Sequence, residues 1–350
     1  MQLNIHEKYM QRCLTLAAKG WGHVSPNPMV GCVIVHNGKL IGEGYHKKFG
    51  QEHAEINAIK SVKDKSLLKD STLYVSLEPC AHHGKTPPCA DAIIKHGIKR
   101  VVIGSVDPNP LVKGKGIAKL MRNGCNIVTG VLEEECMNLN KRFFTFYHKK
   151  RPYIILKWAM TKNGYIDKKR EKQQKPLKIT GKEADKLTHK WRSEEQAIMV
   201  GVNTVIMDNP MLTVRAVKGR SPIRIVVDRS LKTPSDSKIF NNFASVIVLN
   251  NKKSAKAGNV EYVKIKFKGD NLNNILNELY KHNIQSVIVE GGAVLLSSFI
   301  NQGQWDETRV FVSNKKISKG IKAPAFSGKL VHKVKVGDDI LNEYVRSKNR

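Results

Sequence analysis

Apolar residues in the first 150 positions recur with two alternating rhythms. Residues 5–19 carry them at helical spacing and end at Gly20, which predicts an opening helix. An apolar run at 29–35, the pair Asn37-Gly38 and a second extended run at Leu40-Ile41 predict two strands joined by a tight hairpin. The pattern then predicts helix over 54–62, strand over 72–76, helix over 89–95 and strand over 100–105. A helix over 117–122 and a strand over 126–129 follow. Such alternation predicts a mainly parallel or mixed sheet covered by helices.

Around 147–151 the chain turns basic, meets Pro152 and starts a fresh apolar strand over 153–158. The expected domains are therefore 1–149 and 150–350. In the second, strands are predicted at 197–200, 223–227, 245–249, 286–290 and 309–312, and helices at 182–191, 272–282 and 293–301. Two lysine-rich polar stretches, 167–178 and 250–259, read as loops, and the halves show no internal repeat.

Composition changes this picture little. Hydrophobic residues make up 41% of the 350, enough for real cores. No apolar run approaches the length of about 20 residues that spans a bilayer. His6, Glu7, Lys8 and Arg12 interrupt the first 19 residues as they would an amphipathic helix, not a signal peptide, so a cytoplasmic location is expected. Lys and Arg number 60 against 30 Asp and Glu. That excess suits an anionic partner or simply a lysine-rich surface, and the lysines form no single block. Six cysteines in a chain of this length and kind do not make a disulfide framework. Cys13, Cys32, Cys125 and Cys136 sit in apolar surroundings and read as buried thiols; Cys80 and Cys89 do not.

His53-Ala54-Glu55 precedes Glu78-Pro79-Cys80 and then Cys89. One imidazole and two thiolates offer three ligands to a tetrahedral zinc, leaving a fourth position for water. Glu55 would carry the water proton to a departing amine, as in zinc deaminases. His-x-Glu alone is weak, and so is Pro-Cys; the two together, in this order, are far more specific. A structural zinc site is the alternative, but it leaves Glu55 unexplained. In the second half, Glu290-Gly291-Gly292-Ala293 joins a predicted strand to a predicted helix, which would let a phosphate approach a helix N-terminus or merely pack the helix. There is no Gly-x-Gly-x-x-Gly.

The run Glu78-Pro-Cys-Ala-His-His-Gly-Lys-Thr-Pro-Pro-Cys89 resembles the deaminase domain of the bifunctional RibD family of riboflavin biosynthesis. So do Pro26-Asn27-Pro28-Met29-Val30-Gly31 and Gly42-Glu43-Gly44-Tyr45-His46. The resemblance implies a cytidine-deaminase-like three-layer α/β fold, a zinc ion on His53, Cys80 and Cys89, and a phosphorylated pyrimidine substrate. Asn27 would then hold the ring, with His82, His83 and Lys85 over the pocket; a solvated basic loop is the other reading of those three.

The second half is similar to the reductase domain of the same family. The similarity is carried by the run from Leu156 to Gly164, Ile179-Thr180-Gly181, the run from Val200 to Val205, the run from Asp208 to Arg215, and Val289-Glu290-Gly291-Gly292. It implies a dihydrofolate-reductase-like α/β fold that uses NADPH. Ala159, Ile166, Thr204, Asp208 and the segment Gly292, Ala293, Val294, Leu295, Leu296, Ser297 and Ser298 would contact the dinucleotide. Arg192, Leu212, Arg215 and Glu290 would contact substrate; for the arginines, surface charge is the other reading. Asp208, Glu290 and water are candidate proton donors. Two departures stand out: Asn163 replaces the usual Asp, and Pro176-Leu177-Lys178 replaces Ser-x-Trp. Either could make the second half a non-catalytic module, a second reading of this chain. A third is an RNA-acting deaminase, which would interleave aromatic with basic residues. Aromatics are only 7%, so nucleic acid is not expected. The expected partners are the small substrate and further copies of the chain in a homo-oligomer, with no membrane.

Overall fold

The computed structural model describes residues 4–82, 87–171, 174–267, 269 and 271–347. The chain divides into two units, Met1–Lys149 and Lys150–Arg350.

The first unit runs α1 (Ile5–Ala18), β1 (Gly31–His36), β2 (Lys39–Tyr45), α2 (Ala54–Ser61), β3 (Thr72–Leu77), α3 (Cys89–Lys95) and β4 (Arg100–Ser105). It closes with α4 (Lys115–Arg122), β5 (Asn126–Thr129), α5 (Glu133–Leu139) and α6 (Lys141–Lys149). Asn4 starts α1 with a reciprocal cap, its side chain accepting from the amides of His6 and Glu7 while Glu7 accepts from its own amide. The sheet order is β2-β1-β3-β4-β5. β1 is antiparallel to both neighbours, and β3, β4 and β5 are parallel.

Alternation along the central strands makes the layers. Cys32, Ile34, Leu73, Val75, Val101 and Ile103 pack with Ala54, Ala58, Ile93 and Leu120 from α2, α3 and α4. Val33, Val35, Tyr74 and Val102 point the other way, onto Met10, Leu14 and Cys136 of α1 and α5. Both sheet faces are covered, so these strands read as continuous apolar runs. The result is the expected three-layer deaminase architecture.

The second unit comprises β6 (Tyr153–Thr161), β7 (Tyr165–Asp167), α7 (Lys182–Glu194), β8 (Ala197–Gly201), α8 (Val202–Asp208), β9 (Ile223–Val227) and β10 (Val246–Asn250). There follow β11 (Ala255–Ala257), β12 (Val260–Lys264), α9 (Asn271–Lys281), β13 (Ser286–Val289), α10 (Ala293–Asn301) and β14 (Glu307–Ser313). β15 (Ile321–Lys322), β16 (Lys329–Val336) and β17 (Asp339–Val345) end it. Ten strands form one sheet, in the order β11-β12-β10-β9-β8-β13-β6-β14-β17-β16. Its centre, from β12 to β14, is parallel, and antiparallel strands close both edges. On β6, Ile154, Leu156 and Trp158 face the core beneath α9 and α10, while Tyr153 and Ile155 face α7.

Arg151, which reads in the sequence as part of a basic junction, is structural. Its guanidinium is buried and grips both carboxylate oxygens of Asp306, at 2.6 and 2.9 Å, pinning the start of β6 beside β14. The helices α5, α6 and α8 and the hairpin of β16 and β17 have no counterpart in the sequence-based expectations.

Candidate active sites

Two glycines explain why α2 lies directly on β2. A Cβ on Gly44 would fall 2.4 Å from the amide of Ala58, and one on Gly42 would fall 2.7 Å from the Ala58 carbonyl. The absence of side chains there brings the N-terminus of α2 close to the sheet, with His53 as its N-cap residue and Glu55 in its first turn. Cys80 follows β3, and Cys89 opens α3. The amide of Cys89 donates to Cys80 Sγ at 3.3 Å, which sets the two thiols side by side.

These elements bring His53, Cys80 and Cys89 together, with ligand atoms mutually within 4.8 Å. His53 Nδ1 lies 3.7 Å from Cys80 Sγ and 3.3 Å from Cys89 Sγ. Zinc bonds of about 2.0–2.3 Å at tetrahedral angles set N to S edges of roughly 3.6 Å. The three donors therefore match zinc in type and spacing. A hydrogen bond from Cys89, and another from His53 acting against burial, hold the Cys80 thiol down at about 4, and the Cys80 contact raises His53. These contacts favour the thiolate of Cys80, the form that binds metal, while the Cys80 contact and burial push Cys89 the other way.

Glu55 is 3% exposed, and burial pushes its carboxyl up to about 7 despite the opposing charge of His53. A carboxyl poised there can both accept and return a proton near neutrality. Asn27 sits beside the group through His46. His46 Nδ1 donates to the Glu52 carbonyl at 3.0 Å, so its Nε2 accepts from Asn27 Nδ2 at 3.2 Å. Burial lowers His46 and keeps it neutral for this role. One hydrogen of the Asn27 amide nitrogen is used in this bond, which leaves its other hydrogen and its oxygen to meet a ligand. His82 is exposed, while His83 and Lys85 lie outside the described residues.

Two supporting residues were not predicted. His46 packs edge-on to His53 at 5.2 Å, and its only sequence signal is its place in Gly42-Glu43-Gly44-Tyr45-His46. Glu78 is buried, and its carboxylate accepts four backbone amides: Asp107 at 3.2 Å, Gly114 at 3.0 Å, Gly116 at 3.0 Å and Ile117 at 3.3 Å. It thereby satisfies the open end of α4 and fastens that loop to the Cys80 turn.

In the second unit a cavity of about 580 Å³ opens beside the C-terminal ends of β6 and β13. Ala159, Ile166, Thr204, Asp208, Glu290, Gly292 and Ala293 line it, as the sequence suggested. Thr204 Oγ1 accepts from the Gly292 amide at 3.2 Å, tying α8 to the start of α10. The volume and the mix of apolar walls with a helix N-terminus suit a dinucleotide.

Other predicted residues lie elsewhere. Leu296 is wholly buried in the core, so its side chain cannot touch a cofactor. Val294 is 79% exposed and lies off the cavity wall, as do Leu295, Ser297 and Ser298, because only the first turn of α10 faces the cavity. Arg192 stands behind Glu290, binding both its oxygens at 2.9 and 2.7 Å, and Lys157 approaches the same carboxylate at 3.6 Å. Burial opposes ionisation of Glu290, but Arg192 and Lys157 outweigh it and hold the carboxyl down at about 2. Leu212 packs in a core cluster with Ile198 and Val226. The amide of Arg215 donates to His189 Nδ1 at 3.2 Å, and burial, then the charges of Arg192 and Arg215, lower His189. Substrate contacts from Leu212 and Arg215 would thus lie beyond the cavity wall.

Asn163 is not on that wall. Its side chain accepts from Thr161 Oγ1 at 2.8 Å and donates to the Ile317 carbonyl at 2.7 Å, a pairing that an ionised Asp could not supply. Pro176, Leu177 and Lys178 do line the cavity, and so does Trp158, the aromatic ring that could stand in for the missing one, together with the unpredicted Lys157, Asp167, Arg170 and Met207.

Known proteins give the same two parts. The cytidine and deoxycytidylate deaminase zinc-binding region matches residues 3–105, and the RibD C-terminal domain matches residues 152–337. The chain is 44% identical to the riboflavin biosynthesis protein RibD of Aquifex aeolicus, over 91% of this chain and 89% of that one. It is 40% identical to the RibD of Actinobacillus pleuropneumoniae, over 96% and 94%. Among solved structures it superposes on a Thermotoga maritima deaminase/reductase with a TM-score of 0.86 and 38% identity, covering 98% and 99% of the two chains. Acinetobacter baumannii RibD gives a TM-score of 0.89 at 32% identity, covering 99% and 100%.

Fold, donor set and matches together define a two-part enzyme that joins a zinc-dependent deaminase domain to an NADPH-dependent reductase domain. The chain belongs to the RibD family of bifunctional riboflavin-biosynthesis enzymes.

Proposed function

We propose that the first unit hydrolyses the ring amine of a 2,5-diamino-6-(phosphoribosylamino)pyrimidinone and that the second reduces the ribosyl chain of the product to ribityl. In this reading His53, Cys80 and Cys89 hold the zinc. When bound, the metal supplies water activated near neutral pH. Glu55 takes the water proton and returns it to the departing amine, and burial gives it the basicity both transfers need. Asn27 orients the ring through its oxygen, steadied by His46. His82 and Lys85 serve the ribosyl phosphate.

In the second unit NADPH supplies the hydride. Ala159, Ile166, Thr204, Asp208, Gly292 and Ala293 form its seat. Glu290, held ionised between Arg192 and Lys157, orients the substrate, and Arg215 completes the basic side nearby. Glu290 at about 2 is a poor proton donor, which favours water for that step. The observation that carries the whole reading is the cluster of one imidazole and two thiols beside a buried carboxyl.

A homo-oligomer belongs to this reading, supported by the edge strand β16, which exposes Leu330, Val331 and Val334. Sedimentation velocity tests it. Nucleic acid has no part in it.

Mass spectrometry of products from the phosphoribosylaminopyrimidine, with and without NADPH, tests the activity. Deamination alone without NADPH, then a ribityl product with it, is the expected pair of results. Deamination that stops there with NADPH present would overturn the reductase half.

A further inference from the structure

The stretch 167–178 reads from sequence as a lysine-rich loop, yet one of its basic side chains is almost wholly enclosed. Arg170 has a side chain only 5% exposed. Its Nε donates to Asp167 Oδ2 at 2.6 Å, and its Nη2 donates to the Asp208 carboxylate at the end of α8. Its Nη1 donates to the carbonyls of Gln174 and Met207, both at 2.9 Å. Asp167 Oδ1 in turn accepts from the amides of Lys168 and Leu177, at 2.9 and 3.0 Å. Pro176, Leu177 and Lys178 form one wall of the cavity, and Thr204, Met207 and Asp208 form another.

We infer that Arg170 is a positioning residue for dinucleotide binding, a latch that hangs the 174–178 wall of the cavity from α8. Its planar fork reaches two carboxylates and two carbonyls at once, which a lysine ammonium could not do. It also fixes the rotamer of Asp208, a proposed cofactor contact, by holding its carboxylate from behind the 174–178 wall. The latch gives the Pro176-Leu177-Lys178 segment a defined place although the family's usual hydroxyl and aromatic ring are absent there. The inference rests on the reductase reading of the cavity.

Two variants of the full-length enzyme, Arg170→Met and Arg170→Lys, test it. Limited digestion with endoproteinase Lys-C is followed at Lys168, Lys169, Lys175 and Lys178. Without NADPH, Arg170→Met should be cut at these lysines roughly tenfold faster than the unaltered protein. Lysines of the first unit should be cut at the old rate. Saturating NADPH should restore protection. The KM for NADPH should rise at least about fivefold with kcat within about twofold, because one wall is loosened but the seat is not. Deaminase turnover should be unchanged, and Arg170→Lys should fall between the two proteins. Equal cleavage of unaltered and variant chains, or an unchanged KM, would overturn the latch. So would a parallel fall in kcat, KM and melting temperature that NADPH does not rescue, since that marks a purely structural arginine. Should Arg170→Met fail to fold, the milder Arg170→Lys decides by the same readings. Failure of the unaltered protein to bind NADPH in a fluorescence titration would instead remove the reductase reading, and the Lys-C comparison would still judge the latch.

Discussion

Glu55 and Glu290 are both buried carboxyls, and their surroundings drive them in opposite directions. Glu55 is raised to about 7 because burial dominates, whereas Glu290 is held at about 2 because two cations overcome the same burial. Glu55→Gln should retain zinc, measured by elemental analysis, and lose about 10²–10⁴-fold in ammonia release. Near-normal turnover in a zinc-replete variant would sink the role. Cys80→Ala should lose the metal itself. Glu290→Gln strands Arg192 and Lys157, and breaking such a buried pair costs about 3–5 kcal/mol. Because the folded carboxyl lies below its unfolded value, the stabilisation is complete above the unfolded pKa of about 4.3. It fades as pH falls toward 2. Melting curves of the two proteins should therefore converge between those limits; a gap that persists at low pH would point to packing instead.

At the scale of elements, the deaminase site depends on how closely α2 approaches β2. Gly44→Ala would place a Cβ 2.4 Å from the Ala58 amide, so the helix must shift or the strand must bend. We expect a loss of about 1–3 kcal/mol in the first unit. Weaker zinc retention should accompany it, with NADPH binding by the second unit intact. Unaltered zinc content after purification would show that α2 accommodates the methyl group. Glu78 acts at the same scale, through two amides of the loop before α4 and two of the first turn of that helix. Many elements were legible in the sequence because their apolar period is local; α3, β4, β5, β9 and α10 match the expected bounds residue for residue. The C-terminal hairpin of β16 and β17 was not, since β16 is almost entirely exposed and carries no buried face to read.

For the whole molecule, each unit contains its own chemistry: the thiol cluster in the first and the 580 Å³ cavity in the second. Chelation of zinc should abolish deamination yet leave NADPH oxidation intact when the deaminated intermediate is supplied. Loss of both activities would show that the metal also sustains the second unit. The candidate zinc ligands, Glu55 and much of the proposed cofactor seat could be named from sequence because each belongs to a short motif of chemically distinctive residues. Tertiary structure alone decided which distant groups meet. The parallel pairing of β13 with β6 brings Glu290 to Lys157, 133 residues away by sequence number, and α7 brings Arg192, 98 residues away, to the same carboxylate. Asp208 likewise meets Arg170 from another element, and Leu296 turns inward while Ala293 faces the cavity. Spacing along a chain encodes local period and ligand order; burial and ion pairing depend on contacts that exist only once the sheet has closed its register.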